Sequence, residues 1–594
     1  MADFSVETCS RRLGAELSPE GVRYIAWALE KKQISVHIRH GGSAQEIELP
    51  LKKTDDGYFT ATDENGHAGD LYTFTVEDQQ GLPDLASRYQ PQGLSGPSKV
   101  IDPGAYKWKT PQWKTPSREQ VIYEMHIGTF TQGGTYCTAV ERLDYLVDLG
   151  VTTVELMPLA ECTGTRNWGY DGVLLFAPYH VYGTPDDLRA FVDACHGRGL
   201  AVILDVVYNH IGAVGDSTHA YSKFFAHPED SGAWGKSYNL DGENSRAVRH
   251  FLLQNVAYWV DEFRFDGFRF DATHAIRDSS PKHLIAEATE FIHARGGIAI
   301  AEDARNSAEI FKPVREGGWQ LDAVWADDFH HALRVSQTHE NHSYLGGYTG
   351  STEEIADTLR HGWHYRGQTP PNAKKPRGTA SIHLPPSCFV HCISNHDQVG
   401  NRPFGERLNQ LISPAAYRAV SLFFCLTPYT PLLFMGQEWS ASSPFLFFSD
   451  HPADFGRLVT EGRKREFKFD ADKSGKPLPD CQAESTFLQS KLRWDESAKS
   501  PHREIFLLYR EALRLRHECF AGQNPPRECW SVEAQPDRVS LIYHWPNRSL
   551  EVTFWTSRQA AATEKEKALL SSSEERFGGK SGESGPETLV IIRT

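Results

Sequence analysis

Short apolar strands alternate with longer amphipathic helices between residues 120 and 435, and this alternation constrains the fold more than any other feature of the chain. It is typical of βα units built around a parallel sheet. Eight such units favour a closed (β/α)₈ barrel, an α/β fold, over an open doubly wound sheet, although the count alone does not decide between them. The predicted strands lie at 121–127, 153–157, 201–207, 267–271, 298–302, 323–325, 389–394 and 431–435.

Shorter β-type runs flank the predicted barrel on both sides. Those before it are typical of a small antiparallel β-sandwich and lie at 22–27, 34–38, 57–61 and 71–76. A Gly- and Pro-rich stretch at 90–98 then predicts a linker. Three runs after the barrel predict a second sandwich and lie at 540–545, 550–555 and 588–592. The expected domains of the 594 residues are an N-terminal β-sandwich (1–97), the barrel (98–518) and a C-terminal β-sandwich (519–594).

Composition and charge exclude several classes of partner. The formal net charge of −15 does not suggest the clustered basic surface that a nucleic acid requires. The start of the chain, Met1 to Glu7, has neither a basic nor an apolar targeting region, and no stretch approaches the roughly 18 apolar residues of a membrane span. We therefore expect a cytoplasmic protein without membrane contact. The ten cysteines show no metal-binding spacing, which favours reduced thiols.

Carboxylates stand at the ends of three predicted barrel strands. Asp271 ends the fourth strand, Glu302 ends the fifth, and Asp397 follows the seventh. Strand ends of a barrel meet at one mouth, where the active sites of this fold lie. Two carboxyl groups about 5 Å apart can cleave a glycosidic bond with retention, one as nucleophile and the other as a protonated acid. Asp271 and Glu302, 31 positions apart, are the predicted pair.

Basic and imidazole side chains accompany these carboxylates. Arg269 lies two residues before Asp271, so both side chains point to the same face of the strand, and Arg269 would keep Asp271 ionised. Taken alone, such a pair is more often a buried ion pair that only closes the barrel. His210, His274 and His396 also follow strands, where neutral imidazoles could bind sugar hydroxyls. Each alone is more often structural, and three histidines could also form a zinc site.

Four segments, in this order and at these strand positions, resemble the four signature regions of the α-amylase superfamily, glycoside hydrolase family 13. They lie at 205–210, 268–274, 301–303 and 394–397. The resemblance implies the barrel fold and assigns Asp271 as nucleophile, Glu302 as acid/base and Asp397 as transition-state stabiliser. The residues that it places around the sugar are Trp168, Tyr170, His210, Arg269, His274 and His396.

Within the superfamily, the chain is similar over nearly its whole length to members that release trehalose from malto-oligosyltrehalose. The most discriminating run is Asp327-Asp328-Phe329-His330-His331, which glycogen branching enzymes do not usually carry after the sixth strand. On its own, the run also fits a strand end with helix-capping aspartates. The resemblance implies that it shapes the trehalose side of the site, and the run after strand seven adds Gln398, Asn401 and Arg402.

Three departures from the family pattern bear on the outer subsites and leave the catalytic carboxylates untouched. Asp303-Ala304-Arg305 follows Glu302, where the family more often has Ser-Asp. Met125 and Ile127 vary the motif of the first strand. Residues 362–386 match the family poorly and are expected to form a loop over the cleft.

The predicted reaction is hydrolysis of the α-1,4 bond that joins a malto-oligosaccharide to its terminal trehalose, by a retaining glycoside hydrolase. The expected partner is therefore malto-oligosyltrehalose, an α-glucan, without a cofactor or metal, and the expected assembly is a monomer or homodimer. Two alternatives stay open. A 1,4-α-glucan branching enzyme would pass the same intermediate to a glucan hydroxyl, and a non-catalytic glucan-binding protein would use the barrel only as a scaffold.

Overall fold

A computed structural model describes residues 12–41, 43, 45–116, 120–228, 234–468, 475–580 and 582–593. The N-terminal segment on which the targeting prediction rests, and Cys9 with it, lie outside these residues. Across the described part of the chain, no helix is long and apolar enough to cross a membrane. The cysteines in that part are free thiols.

Eight parallel strands form a closed barrel, in chain order around the ring, and the eighth pairs with the first. The predicted fold class is confirmed, and the strand ends differ from the prediction by one or two residues at most. The catalytic carboxylates lie at or just beyond the strand ends: Asp271 is the first residue after β4, and Glu302 is the last residue of β5. The strands are β1 (Ile122–Met125), β2 (Thr153–Leu156), β3 (Ala201–Val206), β4 (Gly267–Phe270), β5 (Ile298–Glu302), β6 (Ala323–Trp325), β7 (Phe389–Cys392) and β8 (Thr430–Phe434).

The barrel strands are almost completely buried because side chains fill the interior and helices cover the outside. This burial explains why they read in the sequence as continuous apolar runs instead of alternating ones. Two of them nevertheless carry a buried glutamate, Glu124 in β1 and Glu155 in β2, at paired positions. The apolar cluster inside the barrel consists of Ile122, Ile203, Ile300, Ala323, Trp325, Val390, Cys392 and Leu432.

Helices follow the strands and close against the sheet through their apolar faces. The helix Pro185–His196 illustrates the local signals: Thr184 and Asp187 form a capping box, and Pro185 occupies the first turn, where its missing N–H costs nothing. The helices are Ile127–Phe130, Tyr136–Val140, Leu143–Leu149, Pro185–His196, Thr218–Tyr221, Ser245–Phe263, Leu284–His293, Asp328–Thr338, Thr352–His361, His396–Gly400, Leu408–Leu411, Pro414–Cys425, Ala453–Glu466, Glu484–Gln489, His502–Phe520 and Ala562–Lys565.

The N-terminal strands form two antiparallel sheets that pack as a sandwich. The first sheet contains Gly14–Ser18, Gly21–Trp27, Tyr58–Asp63 and Lys52–Lys53 in that order. The second contains Glu46–Pro50, Ile34–Arg39, Leu71–Val76 and Gln79–Leu82, with Ser98–Lys99 paired to Leu71–Val76. Hydrogen bonds join the sandwich to the helix Ser245–Phe263 of the barrel: Tyr58 Oη lies 3.0 Å from His250 Nδ1, and Leu13 N–H donates to Gln254 Oε1 at 2.9 Å.

The C-terminal domain is a sheet domain, as expected, but its second layer is helical within the described residues. Its single antiparallel sheet has the order Trp530–Gln535, Arg538–Trp545, Arg548–Trp555, Glu587–Arg593 and Leu570–Ser571. One face packs on barrel helices instead of a second sheet. Phe554 stacks on Phe423 with the ring centroids 5.3 Å apart, and Thr588 Oγ1 donates to the Ala419 carbonyl at 2.7 Å. These contacts fix the sheet to the barrel.

Candidate active site

Arg269 lies at the barrel mouth and contacts three carboxylates. Its Nη1 donates to Asp205 Oδ2 at 2.7 Å and to Asp271 Oδ1 at 2.8 Å, and its Nη2 donates to Glu302 Oε2 at 2.7 Å. The side chain is fully buried, and its guanidinium carbon lies 4.2 Å from the centroid of the Trp325 ring. One cation therefore holds Asp271 and Glu302 side by side on the two terminal nitrogens of the same guanidinium.

The surroundings of Asp271 favour the ionised carboxylate. Its side chain keeps 14% of its surface exposed at the mouth. Burial raises the pKa of Asp271, but the charge of Arg269 and a 2.6 Å hydrogen bond from Asn209 Nδ2 act in the other direction, and the pKa is lowered. An ionised carboxylate is the form that can attack a sugar carbon.

The surroundings of Glu302 favour the protonated carboxyl group instead. Burial raises its pKa, and although Arg269 opposes this, the charges of Asp271 and Asp397 add to it and bring the pKa to about 8. The Ala272 N–H donates to Glu302 Oε2 at 3.1 Å from a backbone with φ of +39°, a left-handed conformation that alanine rarely adopts. Glu302 is thus protonated at neutral pH while 22% of its side chain stays exposed. A general acid needs this form.

Asp397 completes the carboxylate trio from the helix His396–Gly400. It is the most exposed of the three at 38%, and it accepts a 2.9 Å hydrogen bond from Asn401 Nδ2. The adjacent His396 Nε2 lies 3.4 Å from Asp397 Oδ1, and the buried Glu124 contacts both its Nδ1 and its backbone N–H. Burial lowers the pKa of His396, but the charges of Asp397 and Glu124 outweigh it and raise the pKa to about 10. His396 is therefore a cation, and the predicted neutral imidazole is wrong.

Tyr170 forms a wall of the site. Its ring stacks on His396 with the centroids 5.0 Å apart and the planes 22° apart, and its hydroxyl donates to Asp205 Oδ2 at 2.6 Å. His210 Nε2 lies 3.1 Å from the Tyr170 carbonyl oxygen. Burial lowers the pKa of His210, so this imidazole is neutral, as the sequence predicted. Both residues are placed where a sugar could contact them.

Three residues that were predicted to contact substrate are packed away from the mouth. Trp168 is 4% exposed, and its indole N–H donates to a backbone carbonyl. Phe329 has no exposed surface and stacks on His391 with the centroids 4.9 Å apart. His330 is buried, with its Nδ1 3.0 Å from Nδ1 of the next histidine. The last two lie on a helix that begins at Asp328, where successive side chains turn away from the mouth.

Asp328 anchors the segment 362–386 and has no oxygen free for a sugar. Its carboxylate accepts hydrogen bonds from the backbone N–H of His364 at 2.7 Å and of Tyr365 at 3.1 Å. It also accepts one from the Tyr348 hydroxyl at 2.6 Å and pairs with Arg377 at 3.1 Å. Its predicted contact with substrate is therefore replaced by a structural one.

Asp327 and His331 lie nearer the rim of the site. Burial raises the pKa of Asp327, and although the charge of Arg377 opposes this, neighbouring aspartates bring it to about 6. His331 is buried beneath Tyr344, with the ring centroids 4.8 Å apart. Tyr344 is 44% exposed and donates from its hydroxyl to Gln398 Oε1 at 2.9 Å. The exposed aromatic face here belongs to Tyr344, which was not predicted.

The remaining predicted residues lie at the edge of the site. Asn401 is exposed and contacts the catalytic trio through Asp397. Arg402 is ion-paired with Glu340 and Glu406, each at 3.2 Å, so its charge is already compensated. His274 is exposed beyond the strand that carries the nucleophile.

The alternative of a three-histidine zinc site does not fit the geometry. His210 contacts Asn209 and a backbone carbonyl, whereas His396 is bound by Glu124. In the part of the chain that the structure describes, none of the three histidines belongs to a group of side chains close enough to hold a metal ion.

Sequence reasoning missed two acidic side chains inside the barrel. Glu124, which binds His396, and Glu155, which pairs with it in register, both interrupt four-residue apolar strands. A glutamate within a short apolar strand was the sequence signal that could have revealed them. Both oxygens of Glu155 are buried without a hydrogen-bond partner among the described residues. Burial, together with the charges of Glu124 and Asp205, raises the pKa of Glu155 well above its usual range, so this acid is neutral.

Comparison with known proteins identifies relatives of the chain. A family model of the alpha-amylase catalytic domain matches residues 124–234. A malto-oligosyltrehalose trehalohydrolase from Deinococcus radiodurans is 40% identical over 532 residues, which cover 87% of this chain and 85% of that protein. Another from Saccharolobus solfataricus is 38% identical over 507 residues, covering 85% and 87%. A branching enzyme from Pseudoalteromonas atlantica is 30% identical over only 47% of this chain.

Solved structures give the same result for the fold. A crystal structure of a Salmonella typhimurium protein, provisionally named an alpha amylase, superposes with a TM-score of 0.87 at 35% identity, covering 98% of this chain and all of that one. A pullulanase from Anoxybacillus, at 18% identity and a TM-score of 0.72 with coverage of 98% and 87%, shares the fold alone. Because the trehalohydrolases match most of its length, this chain belongs to the malto-oligosyltrehalose trehalohydrolase family, among the glycoside hydrolases related to alpha-amylase.

Proposed function

We propose that the chain hydrolyses the α-1,4-glucosidic bond next to the terminal trehalose of malto-oligosyltrehalose, releasing trehalose and a malto-oligosaccharide. The observation that carries this proposal is the pair of carboxylates on Arg269, one with a lowered and one with a raised pKa. Opposite protonation states in one site are what a retaining glycosidase requires. The relatives that match the chain over most of its length carry the same activity in their names.

In the first step, Asp271 attacks the anomeric carbon of the glucose that is linked to trehalose, and the C–O bond to trehalose breaks. Glu302 gives its proton to the departing oxygen, so that trehalose leaves as a neutral alcohol. A covalent glucosyl ester on Asp271 remains. Arg269 keeps contact with both carboxylates as their charges exchange, because its two nitrogens bind one each.

In the second step, the now ionised Glu302 removes a proton from water, and the resulting hydroxide attacks the anomeric carbon and frees Asp271. Asp397 binds ring hydroxyls while positive charge develops on the sugar, and the cationic His396 beside it binds a neighbouring hydroxyl. Tyr170 offers the sugar ring an aromatic face. In this proposal, water and the side chains named here carry out the hydrolysis, and no step uses a cofactor.

The test is product analysis on malto-oligosyltrehalose with Asp271→Asn and Glu302→Gln. We expect Asp271→Asn to lower trehalose release by about 10⁴-fold or more, because the nucleophile is lost. Glu302→Gln should lower it by about 10² to 10⁴-fold. A substrate with an acidic phenol leaving group needs no protonation to depart, so Glu302→Gln should form its glucosyl ester at close to the wild-type rate, whereas Asp271→Asn should not.

The exposed carboxylate of Asp186, on the helix Pro185–His196, provides a matched control. Asp186→Asn should leave trehalose release unchanged. Formation of α-1,6 branches from amylose, without trehalose from malto-oligosyltrehalose, would favour the branching enzyme and contradict the proposal. Unchanged turnover in Asp271→Asn would favour the non-catalytic alternative. A cytoplasmic location, a monomeric or homodimeric state and domain boundaries near 97 and 518 stay predictions.

A further inference from the structure

A group of histidines and aspartates lies at one end of the N-terminal sandwich, in a domain that takes no part in the chemistry described above. His40 follows the strand Ile34–Arg39 of one sheet, and Asp63 ends the strand Tyr58–Asp63 of the other. His67 and Asp70 lie in the connection that crosses from Tyr58–Asp63 of the first sheet to Leu71–Val76 of the second. We call these four residues the His40 cluster. It joins the two sheets at the point where the chain passes between them.

The ligand atoms of three of these side chains converge. His40 Nδ1 lies 2.9 Å and His67 Nδ1 lies 3.2 Å from the same oxygen, Asp70 Oδ2. All three atoms lie within 4.8 Å of one another, and the two imidazole rings stack with their centroids 5.6 Å apart. A tetrahedral zinc ion with bonds of about 2.0 to 2.1 Å holds its ligand atoms about 3.3 Å apart. Small movements of these side chains would therefore admit an ion.

The backbone fixes the carboxylate of this group. Asp70 is fully buried; its Oδ1 accepts a 3.0 Å hydrogen bond from the Gly41 N–H, and its Oδ2 accepts a 2.9 Å hydrogen bond from the His67 N–H. These bonds hold the oxygen toward the two rings, and among the described residues the ion-pair partners of the carboxylate are the two histidines, not Lys or Arg. His67, in contrast, is 57% exposed, which leaves a path for an ion from solvent.

Asp63 supplies an independent observation. It is 94% buried, and its Oδ2 has no hydrogen-bond partner among the described residues. That oxygen lies 3.5 Å from His40 Nε2, on the opposite side of the ring from Asp70. A histidine that binds a metal through one nitrogen usually donates the other N–H to a carboxylate, which orients the ring and increases its basicity. Asp63 stands where such a partner would stand.

We propose that His40, His67 and Asp70 bind a divalent transition-metal ion of the Zn²⁺ class, with Asp63 orienting His40 and water completing the coordination. Two imidazoles and one carboxylate match the ligand preference of Zn²⁺ over that of Ca²⁺ or Mg²⁺, which take oxygen ligands. The ion would tie the turn after Ile34–Arg39 to the connection that leads into the neighbouring strand Leu71–Val76, and Asp63 would link this site to the other sheet. Its role is therefore structural, at a distance from the barrel mouth.

The competing account is that a protonated His40 bridges Asp63 and Asp70 without any metal. The two accounts differ in what they require of His67 and Asp63. A proton bridge needs no second imidazole and is not displaced by chelators, whereas metal binding needs His67 directly and depends on Asp63 for affinity.

The test uses the full-length enzyme without a polyhistidine tag, stripped with a chelator and then titrated with Zn²⁺ by calorimetry and with Co²⁺ by visible absorption. We expect one ion per chain at low micromolar concentration, the absorption of tetrahedral Co²⁺, and a rise in the temperature of unfolding on adding Zn²⁺. His67→Ala, at an exposed position that will not disturb folding, should abolish all three. Asp63→Asn should weaken binding by about 10- to 100-fold.

His517→Ala removes an exposed histidine from the helix His502–Phe520 and serves as the control, because it should leave the titrations unchanged. Absence of stoichiometric Zn²⁺ binding would overturn the proposal, and so would binding that is equal in His67→Ala and His517→Ala. Trehalose release should not depend on the ion, so either result can be distinguished from failure of the proposed activity.

Discussion

Arg269 shows how one residue can serve two carboxylates that need opposite charges. It contacts Asp271 and Glu302 through adjacent nitrogens, but Asp271 also receives the Asn209 hydrogen bond, whereas Glu302 receives only the Ala272 N–H besides Arg269. By itself, the charge of Arg269 would lower the pKa of both carboxylates. The unequal hydrogen bonding, with the negative charges near Glu302, separates them.

This separation predicts a bell-shaped pH profile of kcat/KM for trehalose release. The pKa of Glu302 is raised to about 8, so the protonated acid is lost, and activity falls, as the pH rises through about 8. The pKa of Asp271 is lowered from 3.8, so the acidic limb should lie below that pH. Initial rates across the pH range, with Glu302→Gln as the control that lacks the basic limb, check this. A fall centred near the ordinary glutamate value of 4.5 would contradict it.

At the scale of elements, the strand ends position the catalytic groups and the segment 362–386 borders them. That segment is held through Asp328, the first residue of the helix after β6. Asp328 binds two backbone N–H groups and Arg377 of the segment. This buried carboxylate is therefore one attachment of the segment to the barrel, beside the hydrogen bonds of Arg377 to the Ala304 carbonyl and Asn306 Oδ1.

We expect Asp328→Asn to weaken this attachment at His364 and Tyr365, whose amides it binds. The substitution removes the negative charge beside the partly buried Arg377 and sets an amide against backbone donors, at a cost of about 3 kcal/mol in the free energy of unfolding. Hydrogen exchange at the amides of His364 and Tyr365 should increase. Asp495→Asn, which breaks an exposed pair with Lys499, is the control and should cost less than about 1 kcal/mol. Unchanged protection at the two amides would refute the attachment.

The sequence analysis correctly placed the groups whose position depends on the spacing along a strand. It failed for groups whose position depends on a helix or on a contact between distant residues. Asp271, Glu302 and Arg269 were placed because a strand has a period of two and all barrel strands end at one mouth. Phe329 and His330 were misplaced because the chain becomes helical at Asp328 and turns them into the core.

Long-range pairs were not predictable from spacing. Glu124 binds His396 across 272 positions, and Arg377 reaches Asp328 from a segment without periodicity. The protonation of His396 depends on the first pair, so spacing along the chain offered no reason to expect a cation there.

At the scale of the whole molecule, the C-terminal sheet depends on the barrel for its second layer. Phe554 is fully buried against Phe423 of a barrel helix. Phe554→Ala should cost about 3 to 5 kcal/mol and uncouple the sheet, so that calorimetry shows a separate early transition. Leu569→Ala, at a residue 48% exposed in the same domain, is the control and should change little. A single transition with an unaltered midpoint in Phe554→Ala would show that the sheet is stable without this contact.

The central claim is that Asp271 and Glu302 act as a retaining pair on the bond next to trehalose. The most direct measurement is proton NMR of malto-oligosyltrehalose during the first minutes of digestion. We predict that trehalose appears together with the α-anomer of the malto-oligosaccharide, which only later equilibrates to β, because two displacements at one carbon restore its configuration. Initial appearance of the β-anomer, or cleavage that leaves trehalose attached to glucose units, would contradict the account.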